Sequence, residues 1–339
     1  AGHDNAVRAR SVGLWTAAGG VSIAAGPLAG GLLLRVFGWR SIFLVNVPLC
    51  IIGITMTMRV PDTVRRRDAR RFDPLGQTLA IIALTGLIGA VIEARPLGVT
   101  SPPVLAGAAL AIICGAGFVM TELRTGSPMV PPEMFRDSRL GPLIAFGTVV
   151  KLCYYGIIFD ISLYLQQLLG YSAIQAGVAY LPLTATFIVA NLFSGWLTGR
   201  TGSRTPMLVG AVVSGIGFAL LLPLTARSSY WSMLAGFTLI PAGMGLAVPA
   251  MTTATLAAVE RQWAGTVSAL LNTARQAGGA IGVAIFGALV GSEREHIVGG
   301  LHTAATGSAA LLAAAALLAW FGVEGGLRSR RRDRAEQRR

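Results

Sequence analysis

Residues 22–48 read SIAAGPLAGGLLLRVFGWRSIFLVNVP, and this stretch decides the fold. Ser22, Gly26 and Gly30 follow one another at intervals of four residues, so one face of a helix carries almost no side chains over two turns. Such a face allows a second helix to approach closely. Pro27 lacks an amide hydrogen and leaves one carbonyl without its usual donor, which bends a helix in an apolar environment. The stretch therefore predicts a smooth, kinked helix face that contacts another helix.

An aromatic and cationic turn follows this helix. Phe37, Trp39 and Arg40 form a cluster typical of a membrane interface, and Asn46 and Pro48 open the next apolar run. The glycines alone indicate only tight helix packing. Together, G-P-x-x-G-G and G-W-R-x-I-F-x-x-N-V-P resemble the fifth and sixth spans of the fourteen-span drug:proton antiporters of the major facilitator superfamily, the EmrB/QacA type. The resemblance assigns that family's antiporter motif to Ser22, Gly26, Pro27, Gly30 and Gly31.

Composition indicates a membrane protein. Of the residues, 53% are hydrophobic and 13% are charged, and the mean hydropathy is +0.65, which lies outside the usual range of soluble domains. Cys50, Cys114 and Cys153 lie within apolar runs without paired spacing, so neither a disulfide framework nor a zinc site is indicated. Residues 1–11 are too polar for a signal peptide and lack a start methionine, so we expect a longer sequence upstream.

Apolar windows of about 18 to 25 residues, each long enough to cross about 30 Å of hydrocarbon, occur ten times. Their length and continuity indicate helices rather than barrel strands. The sequence therefore predicts an all-α polytopic membrane protein with ten transmembrane helices. The windows lie at residues 12–34, 41–58, 75–92, 102–121, 141–165, 173–197, 205–225, 231–253, 267–290 and 304–323.

The arginines between the windows differ in number between the two sides of the membrane. With both termini in the cytoplasm, the inner segments hold 21 arginines and the outer segments hold five. This asymmetry predicts that orientation in the cell membrane. It also accounts for the net charge of +13 without nucleic acid as a partner. The basic runs at 65–71 and 328–339 are interpreted as topology signals and anchors to the lipid bilayer, with a regulatory partner as the minor alternative.

The resemblance implies a partial major facilitator fold that lacks the first four spans of the family. Two further spans are similar to those that the fourteen-span family inserts between its six-helix halves. The implied segments are 1–58 (last two helices of the N-terminal bundle), 59–74 (cytoplasmic basic loop), 75–121 (two inserted helices), 122–140 (cytoplasmic connector), 141–323 (complete C-terminal bundle) and 324–339 (cytoplasmic basic tail).

A loop inside the C-terminal bundle supports this order. The family commonly reads G-x-L-x-D-R-x-G-R between the second and third helices of each half. Here Gly195, Arg200, Gly202 and Arg204 fall where the motif implies glycines and arginines, but Gly199 replaces the acid. The resemblance therefore implies a tight positive turn and puts a charge-relay role of this loop in doubt.

Charged side chains within an apolar window cost on the order of 2.5–3.5 kcal/mol each on insertion scales, so each needs a reason. Lys151 lies mid-window, one turn before Tyr155. Asp160 lies nine residues later and half a turn around the helix, so it cannot pair with Lys151. Asp160 shares its face with Tyr164 and Gln167. We assign Lys151, Asp160 and Gln167 to a proton or substrate pathway, with a structural ion pair or hydrogen bond as the alternative.

The third intramembrane charge is Arg275. Ser268, Asn272 and Arg275 form one polar face on an otherwise apolar helix, and this face either lines the central cavity or contacts a partner helix. Because N-x-x-R-Q-x-G-G recurs in the family's thirteenth span, the resemblance implies an architectural role that family members share. Arg275 and Asn272 join the candidate pathway.

No pattern indicates an enzyme or a cofactor site. We expect His3, His296 and His302 in polar ends or loops, and Glu293 and Glu295 beside His296 lack metal-ligand spacing. The sequence contains neither a Walker element nor a G-x-S-x-G element. A lipid-linked transferase would need clustered acids or histidines at a membrane face, and the outer segments are short and nearly bare.

These patterns predict a monomeric secondary transporter that exports amphipathic, often cationic, small molecules against proton entry. Two bundles would rock about a midplane cavity and meet along the face of Ser22, Gly26 and Gly30. The alternative is a truncated or fragmentary membrane protein without independent transport activity. The coding sequence upstream of Ala1 would distinguish the two.

Overall fold

The computed structural model describes residues 26, 29–59, 73–125, 128, 134, 138–290 and 294–322. These described residues form helices and turns and contain no strand. Eight of their helical segments are long and apolar enough to cross a membrane. The prediction of an all-α polytopic membrane protein is therefore confirmed.

The helices follow one another with short connections. A π-helical turn, Tyr164–Leu168, extends α6, and a 3-10 turn, Arg261–Trp263, precedes α11. In chain order the helices are α1 (29–37), α2 (Arg40–Leu44), α3 (Asn46–Thr57), α4 (Pro74–Leu97), α5 (Pro102–Arg124), α6 (Leu140–Leu163), α7 (Ala173–Ala179), α8 (Leu181–Thr201), α9 (Arg204–Ala219), α10 (Tyr230–Ala257), α11 (Ala264–Val290) and α12 (Arg294–Gly322).

Eight of the ten predicted windows are confirmed as candidate spans. The window 205–225 corresponds to α9, a shorter apolar helix, because the backbone turns from Leu220 onward. Most of the window 12–34 lies outside the described residues, and its end forms part of α1.

Local turn chemistry sets several helix ends. Asp73 caps α4, since its Oδ1 accepts a hydrogen bond from the Gly76 amide at 2.9 Å, and a proline follows at the first helical position. Ser172 and Gln175 form a capping box at the start of α7. Gly202 ends α8 with φ of +80°, a conformation that other residues rarely adopt.

The helices α6 and α8–α12 pack around one apolar core. α6 packs along α11 and α12, α10 packs against α8 and α9, and α12 also contacts α9. Fully buried Phe146, Phe218 and Phe237 lie in this core. Glycines allow the closest crossings: a Cβ atom on Gly278 of α11 would lie only 2.6 Å from the carbonyl oxygen of Thr148 on α6. These helices therefore form one bundle.

The helices α4 and α5 form a pair beside this bundle. They meet at two glycines, because a Cβ atom on Gly107 would lie 2.9 Å from the carbonyl oxygen of Gly86. α4 also contacts α11. Only 6% of each helix's apolar window is buried, so most of their apolar side chains face outward, as lipid-exposed helices require.

α12 begins ten residues earlier than the window 304–323 predicts. His302 therefore lies within a helix and is half-buried, and its Nε2 atom lies 2.8 Å from the carbonyl oxygen of Leu224. The expectation of a polar end or loop is wrong for His302, since a tertiary contact satisfies its ring inside the packed bundle. His296 lies in the first turn of α12, and His3 lies outside the described residues.

Candidate functional site

A cavity of about 600 Å³ opens between α6, α8 and α11. Tyr155 and Phe159 of α6, Phe187 of α8 and Val283 of α11 contribute to its wall, and Gly26 borders it from the first described segment. Its volume falls within the range of about 300–1,000 Å³ that small-molecule sites occupy. The wall is mainly apolar and aromatic, so the cavity suits an amphipathic organic molecule.

Helix α6 presents two different faces. Lys151, Tyr155, Phe159 and Ser162 follow one another at steps of three or four residues and line the cavity. The opposite face enters the bundle core through buried Val150, Cys153, Ile157 and Ile161. α6 therefore separates the cavity from the core.

Of the described residues that line the cavity, Lys151 is the one with a charged side chain. Its Nζ donates a hydrogen bond to the Tyr155 hydroxyl at 3.2 Å and lies 4.2 Å from the centroid of that ring. Within the described chain, Lys151 has no carboxylate partner. Its charge is held at the cavity wall by an aromatic neighbour.

Arg275 lies on α11, two turns before Val283, and is beside the cavity rather than in its lining. Its charge interacts with Tyr155 and with Lys151. Its Nε is buried and has no hydrogen-bond partner among the described residues. Gly279, one turn after Arg275, packs against the same two side chains, since a Cβ atom there would be in ordinary contact with Lys151 and Tyr155 at 3.6 and 3.5 Å. The structure thus brings two separately predicted charges together; we call Lys151 and Arg275 the cationic pair.

Asp160 faces away from the cavity. Its side chain is 1% exposed, and neither carboxylate oxygen has a hydrogen-bond partner within the described ranges. Tyr180 lies near enough to interact electrostatically, but its hydroxyl donates to the carbonyl of Ile158 at 2.6 Å. An ionised carboxylate buried without a partner costs several kcal/mol, so this group needs a proton or a cation.

The polar stripe that the sequence predicts for Asp160, Tyr164 and Gln167 is not continuous. The Tyr164 hydroxyl donates to the carbonyl oxygen of Thr225 at 2.6 Å and therefore holds the loop 220–229. Gln167 is half-buried on the π-helical turn, which changes the helical register at this point. Neither Gln167 nor Asn272, which is exposed on α11, lines the cavity.

The structure describes only part of the antiporter motif. Two of its residues, Ser22 and Pro27, lie outside the described residues. A Cβ atom on Gly26 or Gly30 would meet no described atom within 4 Å, so the predicted helix contact at these two glycines is not seen in the described chain. At Gly31, however, a Cβ atom would lie 3.0 Å from the carbonyl oxygen of Ala173. The close approach of this segment to a later helix, α7, thus occurs at Gly31.

The loop motif between α8 and α9 contains a turn glycine and two arginines that contact tryptophan rings. Gly202 forms the turn between α8 and α9. The Arg200 guanidinium lies 4.2 Å from the ring of a tryptophan one turn earlier, and Arg204 lies 4.2 Å from the ring of Trp320 on α12. Gly195 lies within α8 with open space beside it. The two arginines therefore fix this end of the bundle.

Sequence reasoning missed the aromatic pair that joins two walls of the cavity. Tyr154 of α6 and Phe187 of α8 stack with ring centroids 5.9 Å apart and planes inclined by 20°. The recurrence of aromatic residues at 154, 155 and 159 was the available signal, although it does not reveal which helix they face.

A comparison with protein families gives the class of this architecture. The sequence model of the family described as Major Facilitator Superfamily matches residues 5–283. The chain belongs to the Major Facilitator Superfamily. The all-helical bundle and its cavity fit this facilitator fold. That family consists of multi-pass membrane transporters.

Three relatives show how similar this chain is to named proteins and how much of their length it covers. It is 34% identical over 283 residues to the multidrug resistance protein Stp of Mycobacterium tuberculosis, covering 84% of this chain and 52% of that protein. It is 33% identical over 285 residues to a methylenomycin A resistance protein of Streptomyces coelicolor (84% and 60%). It is 31% identical over 288 residues to a tetracenomycin C resistance and export protein of Streptomyces glaucescens (83% and 53%). The facilitator chain thus spans little more than half the length of these relatives.

Proposed function

We propose that this facilitator exports amphipathic small molecules across the cell membrane in exchange for protons. The cavity between α6, α8 and α11 carries the proposal, because aromatic and aliphatic side chains form most of its wall. Such walls accept molecules of varied shape, while a few polar groups orient them. The names of the relatives, which describe resistance and export, support the same class of function.

Transport would proceed by alternating access to this cavity. Gly26 borders it from one side and the α6–α12 bundle borders it from the other. The approach of Gly31 to Ala173 is a place where the first segment can move against the bundle. Because Gly31 has no side chain and the space for a Cβ atom is tight there, the contact permits sliding without a bulky obstacle.

Asp160 is the proposed proton carrier. It is buried and unpartnered within the described chain, whereas Lys151 stands on the cavity side of the same helix. A carboxyl group in such a place carries no charge once it binds a proton. A second conformation that opens the bundle near Asp160 would release that proton, and this difference between conformations would couple proton entry to export.

We further propose that the chain is of the fourteen-span, EmrB/QacA type and functions as a monomer. The pair α4 and α5 would then be the inserted helices of 75–121, and 141–323 would be the complete C-terminal bundle. Residues 1–58 would belong to the N-terminal bundle, with 59–74 and 122–140 as cytoplasmic connections and 324–339 as a cytoplasmic tail. The arginine distribution supports cytoplasmic termini. The relatives favour transport over the alternative of a fragment without transport activity.

Replacement of Asp160 tests the coupling. In proteoliposomes, Asp160→Asn should lower transport driven by a proton gradient at least about tenfold, because the amide cannot carry a proton, while exchange of labelled substrate without a gradient persists. Glu260→Gln is the matched control, since Glu260 is an exposed acid in the loop before α11. Full gradient-driven transport by Asp160→Asn would remove Asp160 from the proton pathway.

A further inference from the structure

The cavity carries positive charge that no described carboxylate balances. We infer that its substrates are amphipathic molecules with an acidic group, such as a carboxylate or sulfonate, and that Lys151 and Arg275 bind this group. The inference rests on the proposed export function and names its substrate class. It replaces the expectation that the cargo is often cationic.

The acids whose side chains the structure describes all lie elsewhere. Asp73 caps α4, and Glu122 lies beside the same turn, since a Cβ atom on Gly76 would approach both carboxylates. Glu260 accepts a hydrogen bond from Gln262. Glu93 lies exposed near the end of α4, and Asp160 is on the core side of α6. None of these five lines the cavity.

The cationic pair lacks what a charged group in an apolar surrounding requires. Two like charges near each other repel, and the repulsion grows as the dielectric constant falls. The Nε–H of Arg275 is buried without an acceptor in the described chain, and a buried donor is destabilising while it stays unpaired. An anion bound between the two cations would relieve both penalties.

The geometry also offers the right donors. The guanidinium of Arg275 can donate two parallel hydrogen bonds to a carboxylate, and Lys151 can add a third. The Tyr155 hydroxyl accepts from Lys151, so its own hydrogen is available to the ligand. Phe159, Phe187 and Val283 supply the apolar wall for the rest of the molecule. The site thus fits a molecule with an acidic end and an apolar body.

A matched series of fluorescent compounds tests the inference on the purified full-length protein. The compounds are 1-pyrenebutyric acid, its neutral methyl ester and the cation 1-pyrenemethylamine, which share one aromatic body. We expect the acid to bind at least about tenfold more tightly than the ester, and the amine to bind most weakly. Equal or tighter binding of the amine would overturn the inference.

Single variants assign the effect to the cationic pair. Lys151→Gln and Arg275→Gln should each weaken binding of the acid about tenfold and leave binding of the ester within about twofold, which also shows that the variants are folded. Lys151→Arg should retain tight binding of the acid. Arg227→Gln is the matched control, because Arg227 is an exposed cation in the loop 220–229. Unchanged binding of the acid to Lys151→Gln and Arg275→Gln would refute the assignment.

Transport assays separate this inference from the proposed function. Export of the ester or the amine, with no export of the acid, would refute the acidic substrate class and leave the proposed function intact. Failure to export any of the three compounds, together with tight binding of the acid, would contradict the export function and support the binding site.

Discussion

At the scale of single residues, the intramembrane charges lie in two different environments. Lys151 and Arg275 face or adjoin the cavity and share Tyr155 as a neighbour. Asp160, nine residues from Lys151, is buried on the other side of α6 without a hydrogen-bond partner in the described residues. The side of the helix thus decides whether a charge lies at the cavity or in the core.

Gly26 gives a prediction at this scale. Its Cβ position is open and borders the cavity, so Gly26→Leu should place a side chain in the substrate space. We expect affinity for a bulky pyrene compound to fall about tenfold while the protein folds normally. Fluorescence titration of the purified variant measures this.

Gly30→Leu is the matched control for Gly26, because Gly30 also has open space but does not line the cavity. Unaltered affinity in Gly26→Leu would place the substrate elsewhere. Loss of folding in that variant would instead support the helix contact that the sequence predicts at this face.

At the scale of elements, the crossing of α6 and α11 depends on glycine. A Cβ atom on Gly282 would collide with the backbone of Leu152. Two helices that meet backbone to backbone gain close van der Waals contact, which replaces the hydrophobic driving force that lipid does not provide. Because this crossing also sets the distance between Lys151 and α11, helix packing determines the geometry of the cavity wall.

We predict that Gly282→Ala destabilises the bundle by about 1–3 kcal/mol, since the backbone must move apart. Thermal unfolding in detergent, followed by size-exclusion recovery, measures the loss. Gly265→Ala on the same helix is the control, because its Cβ position is open and alanine favours the helix by about 1 kcal/mol. Equal midpoints for the two variants would show that α6 and α11 tolerate separation.

Tyr164 connects α6 with the loop 220–229. Tyr164→Phe keeps the buried ring but removes the donor to the carbonyl oxygens of Thr225 and Ser228. We expect a loss of about 1–3 kcal/mol, because these acceptors lose their protein partner. Hydrogen–deuterium exchange should accelerate in the loop and remain unchanged in α4 and α5. Equal exchange rates of this loop in the wild type and the variant would contradict this role.

At the scale of the whole molecule, the orientation in the membrane determines toward which end the cavity must open for export. The connection after α9 and the connection before α11 lie at opposite ends of α10. The arginine distribution predicts that the first lies outside and the second in the cytoplasm. Export then requires the cavity to open toward the loop 220–229.

Cysteine labelling tests this orientation in a background without Cys50, Cys114 and Cys153. In intact cells a membrane-impermeant maleimide should label Arg227→Cys, whereas Gln262→Cys should react only after permeabilisation. Both positions are exposed, so access and not burial decides the result. The reverse pattern would refute cytoplasmic termini.

Hydropathy determined much of the fold, because any segment that crosses lipid must be long, apolar and helical. Eight windows are therefore confirmed. The start of α12 was missed, since His296 and His302 look like loop residues until a tertiary contact with Leu224 satisfies one of them. The end of α9 was missed because apolar residues continue into the turn.

The sequence by itself determined that the chain crosses a membrane and that Lys151, Asp160 and Arg275 need partners or functions, because burying a charge is costly in any fold. Only the tertiary structure decided which of them meet. It brings Lys151 of α6 and Arg275 of α11 near enough to interact electrostatically, and it turns Asp160 into the core. Sequence spacing fixes the angle of a residue on its own helix, whereas the neighbouring helix depends on close contacts of many glycines and apolar side chains together.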